Sequence, residues 1–229
     1  LFEGLYRDVN IALANELALL RDDLGVDVRE AIAVANGIPQ ADLHDPGAGV
    51  GGHCIPYYPY FVMSAVESET PLLRTARETN DRMPGFVLAK VREGLLATGT
   101  EPGDATVAVL GLAYRPGVDE TRASPAKPLV RGLSAYGADV LAVDPVVADR
   151  DVVDAPRVAV ADLPDRDPDA FALVTAHEAF VAMDWDSFDP AVVVDGRAAL
   201  DLDDSTHHVY TVGSGPSGHG WSEPQSEAP

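Results

Sequence analysis

The chain contains a single cysteine, Cys54, within the stretch Gly47-Ala48-Gly49-Val50-Gly51-Gly52-His53-Cys54-Ile55-Pro56-Tyr57-Tyr58-Pro59-Tyr60-Phe61. Glycines allow a backbone to approach a ligand closely or to take positive φ. The prolines after the thiol fix the chain and oppose helix. Two readings stand open on residue types alone. The thiol is either a small buried hydrophobe or a nucleophile presented on a glycine loop. His53 is adjacent in sequence, and neighbouring side chains point in different directions, so a simple Cys–His pair does not follow. The histidines and the one cysteine lack the spacing of a metal site, and none is expected.

A second set of candidates lies at Tyr114-Arg115-Pro116-Gly117-Val118-Asp119-Glu120-Thr121-Arg122-Ala123-Ser124-Pro125. Arg115 and Arg122, next to a helix start at Ser124-Pro125, have the chemistry to hold phosphate oxygens. Equally, they suit a solvated loop with arginines paired to Asp119 and Glu120. The loop is not G-x-G-x-x-G, the usual dinucleotide fingerprint. Arg197 follows an apolar strand at Asp195-Gly196-Arg197 and is a candidate for the same cleft. His177-Glu178 also follows a strand and suits a helix cap or loop contact. His207-His208 reads as surface.

These residues need elements to position them. Leu5, Val9, Ala12, Leu13, Leu17 and Leu20 recur at helical spacing, so residues 1–24 read as a helix ended by Gly25. Asp27 caps a second helix to about Asn36. Thr70-Pro71 opens a third, which Pro84 is expected to kink or divide. Residues 1–100 are therefore mainly helical. Gly99-Thr100-Glu101-Pro102-Gly103-Asp104 marks a boundary. The run 105–112 then reads as a buried parallel strand. Further strands are expected at 139–143, 158–160, 171–175, 192–195 and 208–212, with a helix from Ser124-Pro125 to Gly137. That alternation indicates βαβ units and an α/β fold, with a Rossmann-like parallel sheet over 101–213. The Gly-, Ser-, Pro- and Glu-rich segment 214–229 reads as a disordered tail.

A hydrophobic fraction of 46% provides for a core, and no apolar run of membrane-spanning length is present. One cysteine rules out an intrachain disulfide and fits a cytoplasmic setting. The net charge of −21, with Lys90 and Lys127 the only lysines, suits a protein adapted to high salt, the alternative being an acidic mesophile. It disfavours sequence-independent binding of nucleic acid, which needs clustered cations.

Several of these segments together resemble the UDP-glucose/GDP-mannose dehydrogenase family. Gly49-Val50-Gly51-Gly52-His53-Cys54-Ile55-Pro56 is similar to its catalytic cysteine signature. Tyr6-Arg7-Asp8-Val9-Asn10-Ile11-Ala12-Leu13-Ala14-Asn15-Glu16-Leu17 resembles its central dimerisation helix. Leu110-Gly111-Leu112-Ala113-Tyr114-Arg115-Pro116 resembles the start of its nucleotide-sugar domain, and Val194-Asp195-Gly196-Arg197 a late motif. The resemblance spans residues 1 to about 213 and is strongest to the branch that oxidises UDP-N-acetylhexosamines, UDP-N-acetyl-D-mannosamine above all.

The resemblance implies a helical central dimerisation domain carrying the cysteine loop (1–100) and a UDP-sugar-binding domain (101–213), in a homodimer. It implies NAD-dependent, four-electron oxidation of a sugar C6 alcohol to a carboxylate. Cys54 would be the nucleophile, passing through a thiohemiacetal and a thioester. Gly51 and Gly52 would bring backbone N–H groups to the sugar. Arg115 would stand for the family's lysine near the nucleotide sugar, Arg197 would join the substrate site, and Arg122 would contact substrate or cofactor phosphates. The family's N-terminal NAD domain has no counterpart in these residues, and its catalytic lysine would fall just before Leu1. Gly4 stands where the family has a catalytic asparagine, Gln40 where an arginine is common, and Tyr58 where many members have aspartate. Two other expectations remain: a redox-inactive dimeric UDP-sugar-binding remnant, and an unrelated thiol hydrolase using Cys54 and a histidine.

Overall fold

The computed structural model describes residues 1–147 and 152–218. Its elements run α1 (Phe2–Leu19), α2 (Arg21–Leu24), α3 (Val28–Ala35), α4 (Tyr58–Ala65), α5 (Pro71–Ala97), β1 (Thr106–Leu110), α6 (Ala126–Ala135), β2 (Asp139–Val143), β3 (Arg157–Val158), β4 (Ala170–Leu173), α7 (Glu178–Val181), β5 (Val192–Asp195), β6 (His208–Thr211) and β7 (Gly215–Gly218). The helix expected over 1–24 is broken at Leu20, and Gly25 ends its second piece in a left-handed conformation. Asp27 caps α3, its carboxylate accepting from Glu30 N–H at 2.9 Å.

One seven-stranded sheet has the order β3-β2-β1-β4-β5-β6-β7. All pairings are parallel except β6–β7. Side chains alternate between its two faces. Val107, Val109, Ala172 and Val194 pack with Met83, Val87, Val91 and Leu95 of α5 and with Leu129 and Leu133 of α6. Ala108, Leu110, Phe171 and Val193 pack on the opposite face with Phe180, Trp185 and Phe188. Helix α5 thus covers the sheet as well as packing on α1, and it couples the two halves of the chain.

Four expectations are corrected. The prolines after the thiol do not keep that segment from helix, since α4 carries Pro59 in its first turn, where its missing N–H is no loss. Pro84 does not divide α5, which runs unbroken for 27 residues. The missing N–H at Pro84 is tolerated because packing on both sides holds the helix, and the buried ring seats the glycine loop. A Cβ at Gly49 would stand 3.3 Å from Pro84 Cδ. The tail expected from 214 instead begins with β7, antiparallel to β6. Pro216 is acceptable on an edge strand, and Arg21 Nε donates to Ser214 O at 3.1 Å. Residues 219–229 of that expected tail lie outside the described residues. His207 is buried rather than on the surface; Ala191 N–H donates to its Nδ1 at 3.1 Å, and its Nε2 lies 3.0 Å from Trp185 O.

Candidate active site

The loop 47–54 leaves the central helices and lies across the carboxyl ends of β1 and β5, where ligands of open parallel sheets bind. There it borders a cleft of about 440 Å³, lined among others by Gly51, Gly52, Cys54, Tyr114, Arg115 and Arg197. Cys54 is exposed and free. The structure therefore brings together five of the six residues singled out from the sequence.

The loop is held from three sides. Asn15 of α1 is buried, its Oδ1 accepting from Gly47 N–H at 2.9 Å and its Nδ2 donating to Asn80 Oδ1 at 2.8 Å. Asn80 Nδ2 in turn donates to Asp8 Oδ1 at 2.9 Å. Arg77 donates to Asp8 and to Asp81. From β5, Gly196 O accepts from Ala48 N–H at 3.0 Å. Arg197 donates through Nε to Val174 O at 2.6 Å and through Nη2 to Gly49 O at 3.1 Å. From the loop after β1, Arg122 O accepts from Gly52 N–H at 2.8 Å. Burial first, and then the charge of Arg29, lower the Arg197 guanidinium to about 10, which leaves it cationic at neutral pH.

The expected role of the glycines changes in part. Gly52 has φ +105°, and a Cβ there would stand 3.1 Å from the Tyr114 ring. A Cβ on Gly51 would stand 2.8 Å from Tyr114 Cβ. Both glycines admit the neighbouring loop, and the Gly52 N–H is taken by Arg122 O rather than left for a sugar. Among the described residues, the N–H groups of Gly49, Val50 and Gly51 have no hydrogen-bond partner, and all three residues line the cleft.

Arg122 is the residue the structure does not bring to the cleft. Its side chain is exposed, and it acts on the loop through its carbonyl. His53 does not face the thiol as a base. Its Nε2 lies 3.0 Å from Glu120 Oε2, a contact that is the first cause holding the Glu120 carboxyl below its ordinary value. Glu120 Oε1 accepts from Thr121 and Arg122 N–H at 3.0 and 2.9 Å. No hydrogen bond joins Cys54 to a histidine among the described residues, so the geometry gives a thiol hydrolase nothing to build on.

The loop after β1 does not fit a dinucleotide. Gly111 N–H donates to Val143 O at 2.8 Å and Tyr114 N–H to Glu120 O at 3.0 Å. Leu112 and Ala113 N–H donate to Asp144 Oδ2 at 2.7 and 2.9 Å. Four successive amides that a phosphate would need are thus engaged inside the protein. The Asp144–His177 contact was also missed. His177 stands at the N-terminal boundary of α7 without a side-chain capping bond, and its Nε2 instead lies 3.2 Å from Asp144 Oδ2. Asn15, Asn80 and Arg77 were missed too. Their signal was polar residues on helix faces otherwise filled by core side chains.

Residues 1–82 match the central domain of the UDP-glucose/GDP-mannose dehydrogenase family, and residues 108–202 match that family's UDP binding domain. The chain belongs to this family. It is 41% identical over 201 residues to a UDP-N-acetyl-D-mannosamine dehydrogenase of Pyrococcus horikoshii, covering 86% of this chain and 46% of that relative. It is 38% identical over 203 residues to an NDP-N-acetyl-D-galactosaminuronic acid dehydrogenase of Ralstonia solanacearum, with the same coverages of 86% and 46%. A solved UDP-D-ManNAc dehydrogenase from Pyrococcus horikoshii superimposes with TM-score 0.81 at 38% identity, over 93% of this chain and 50% of that one. The chain spans about half the length of the relatives it matches.

Proposed function

We propose that this chain carries the nucleophile and the nucleotide-sugar site of an NAD-dependent UDP-sugar 6-dehydrogenase. The observation that carries this reading is an exposed free thiol on a glycine loop, in one cleft with two arginines at the carboxyl ends of β1 and β5. UDP-N-acetyl-D-mannosamine is the substrate we favour, oxidised to its uronate for surface polysaccharide or glycan precursors; the names of the matched mannosamine enzymes support it.

NAD would supply the acceptor for two hydrides, and the family models match the central and UDP-binding domains in this chain. What the chain's own residues do is narrower. Arg115 and Arg197 place positive charge where the diphosphate would lie. The Cys54 thiolate adds to the C6 aldehyde carbon, a C–S bond forming as the C=O π pair moves to oxygen, which takes a proton from water. After oxidation at that carbon, water attacks the thioester, the C–S bond breaks, and its electron pair returns to sulfur. The open amides of Gly49, Val50 and Gly51 are the available donors for substrate oxygens.

We further propose a homodimer through α1. Leu5, Tyr6, Val9 and Leu13 of that helix, with Leu43 and Leu72, line an open apolar groove of about 650 Å³, a feature that favours association. The acidic, lysine-poor composition supports high-salt adaptation, and an exposed free thiol suits a reducing, cytoplasmic setting. Among the described residues no helix is long and apolar enough to cross a membrane. A second reading, UDP-sugar binding without redox turnover, is favoured by one observation: position 4 carries no side chain at all.

NADH formation from UDP-N-acetyl-D-mannosamine, measured on this chain joined to or mixed with an NAD domain of the family, tests the reading. Turnover is expected, and Cys54→Ser lowers it by more than about 10³-fold while UDP-sugar affinity stays within a few fold. Retained UDP-sugar binding without turnover in the assembled protein selects the second reading. No binding of any UDP-sugar removes both.

A further inference from the structure

His53 and Cys54 are neighbours in sequence and line the same cleft. The His53 ring is half exposed, and its Nε2 lies 3.0 Å from Glu120 Oε2. Glu120 is itself fixed, since its Oε1 accepts from Thr121 and Arg122 N–H at 3.0 and 2.9 Å. These contacts, the His53 bond first, hold its carboxyl below the ordinary value, so it is ionised at neutral pH. An ionised carboxylate only accepts hydrogen bonds. The neutral His53 ring must therefore carry its proton on Nε2 and a lone pair on Nδ1. That Nδ1 has no hydrogen-bond partner among the described residues. Tyr114 flanks the ring edge-on, centroids 6.3 Å apart at 73°, and its own N–H donates to Glu120 O at 3.0 Å.

The dehydrogenase reading leaves one proton without a destination. Water that attacks the Cys54 thioester must give up a proton, and the sulfur, still bonded to carbon, takes none. The other charged or titratable groups lining the cleft are Arg7, Asp45, Tyr114, Arg115 and Arg197. Guanidinium and phenol groups hold their protons at neutral pH. Asp45 lies 3.9 Å from Arg29 Nη1, a positive charge that opposes its taking a proton. An imidazole ordinarily changes charge near neutral pH, which is where a general base works best.

We propose that His53 is the catalytic base for the water that hydrolyses the Cys54 thioester, and that Glu120 is its positioning residue. The proposal rests on Cys54 as the nucleophile of the dehydrogenase reading. The water oxygen adds to the thioester carbon as the C=O π pair moves to oxygen, and the water proton goes to His53 Nδ1. The C=O then re-forms and the C–S bond breaks. Its electron pair returns to sulfur, which takes the proton back from Nδ1. The sugar acid leaves and ionises in solvent. The base acts on water and not on the thiol, in keeping with the absence of a Cys54–histidine hydrogen bond among the described residues.

Hydrolysis needs neither sugar nor NAD, so it can be followed on this chain alone. Cys54 is the only cysteine. The chain is acetylated with p-nitrophenyl acetate, and the mass of the peptide carrying Cys54 reports loss of the acetyl group, apart from any label on lysine. Wild type is expected to deacylate at a rate that falls in acid, as imidazole protonates between about pH 8 and 5. His53→Gln is expected to slow deacylation about 100-fold, to lose that acid limb, and to regain rate when free imidazole is added. Glu120→Gln is expected to slow it several fold and to keep the limb, since the base remains but is no longer held. An unchanged rate and pH profile in His53→Gln overturns the base, and so does a loss that imidazole does not restore. Wild-type deacylation in Glu120→Gln overturns the positioning role. In the protein assembled with an NAD domain, UDP-sugar oxidation with deacylation independent of His53 sinks this proposal alone. His53-dependent deacylation without UDP-sugar oxidation sinks the dehydrogenase reading and leaves the base standing.

Discussion

Two backbone loops meet at the carboxyl edge of the sheet, and they treat their amides in opposite ways. In the loop after β1, four consecutive N–H groups, from Gly111 to Tyr114, donate to Val143 O, Asp144 and Glu120 O. In the cysteine loop, Gly47, Ala48 and Gly52 N–H are engaged, whereas those of Gly49, Val50 and Gly51 have no partner among the described residues. The first loop occupies the place where a dinucleotide-binding fold would receive phosphate. A carboxylate has taken that place from within. The second loop is pinned at its ends and open in its middle, beside the thiol. A parallel α/β sheet therefore does not by itself make a cofactor site; the fate of the amides decides.

Asp144 offers the largest test of this contrast. Its Oδ2 accepts from Leu112 and Ala113, and its Oδ1 from Val146 and Val147, both at 2.8 Å. Burial alone would raise this carboxyl, but the His177 hydrogen bond and then the backbone donors outweigh it and hold it well below the carboxylate range. Asp144→Asn leaves at least one of these N–H groups without an acceptor and removes the charge, so it should cost about 3 kcal/mol in urea unfolding. For a depressed folded-state pKa, the stabilisation is complete above the unfolded aspartate value of about 3.9 and fades as pH falls toward the folded value. The difference between wild type and Asp144→Asn should accordingly narrow in acid. A cost below about 1 kcal/mol, or a difference that widens in acid, would show that something other than this carboxylate closes the loop.

Asn15 tests the other loop. Asn15→Ala strips the Gly47 N–H of its acceptor and Asn80 of its donor partner, in a buried network with Asp8 and Arg77. The expected loss is about 2 kcal/mol in unfolding free energy, together with faster hydrogen exchange at Gly47 and Ala48. Unchanged exchange there would mean that Ala48–Gly196 and Arg197 alone fix the loop.

The pattern of what the sequence revealed follows from the same physics. Five strands of the parallel part were legible as short, largely buried apolar runs, whereas the run expected at 158–160 gives only Arg157–Val158 as strand and Val160 opens a 3-10 turn. The cleft residues Cys54, Arg115 and Arg197 were legible from residue type at a glycine loop and at strand ends. What stayed hidden depends on partners distant in sequence. Asn15 and Asn80 meet 65 residues apart and Asp144 and His177 33 apart, and no local pattern encodes either meeting. The division expected at Pro84 does not occur, because packing against the sheet and Gly49 holds α5 continuous where local propensity argues for a break. Gly215–Gly218 was misread because its composition is that of a loop, while the open edge of β6 supplies the pairing.

Arg122 is the smallest test and the one that separates backbone from side chain most cleanly. The resemblance gives its guanidinium a phosphate to hold. The structure uses its carbonyl instead, as acceptor for Gly52 N–H, and sends the side chain outward. Alanine keeps that carbonyl. Arg122→Ala should therefore change unfolding free energy by no more than about 0.5 kcal/mol and leave UDP-sugar affinity, measured calorimetrically, within about twofold. Arg115→Ala in the same assay should weaken affinity by about tenfold, because it removes a charge from the cleft itself. If Arg122→Ala matches that loss, the guanidinium swings onto the substrate when it binds. The cysteine loop would then be clamped by the same residue through both its carbonyl and its charge.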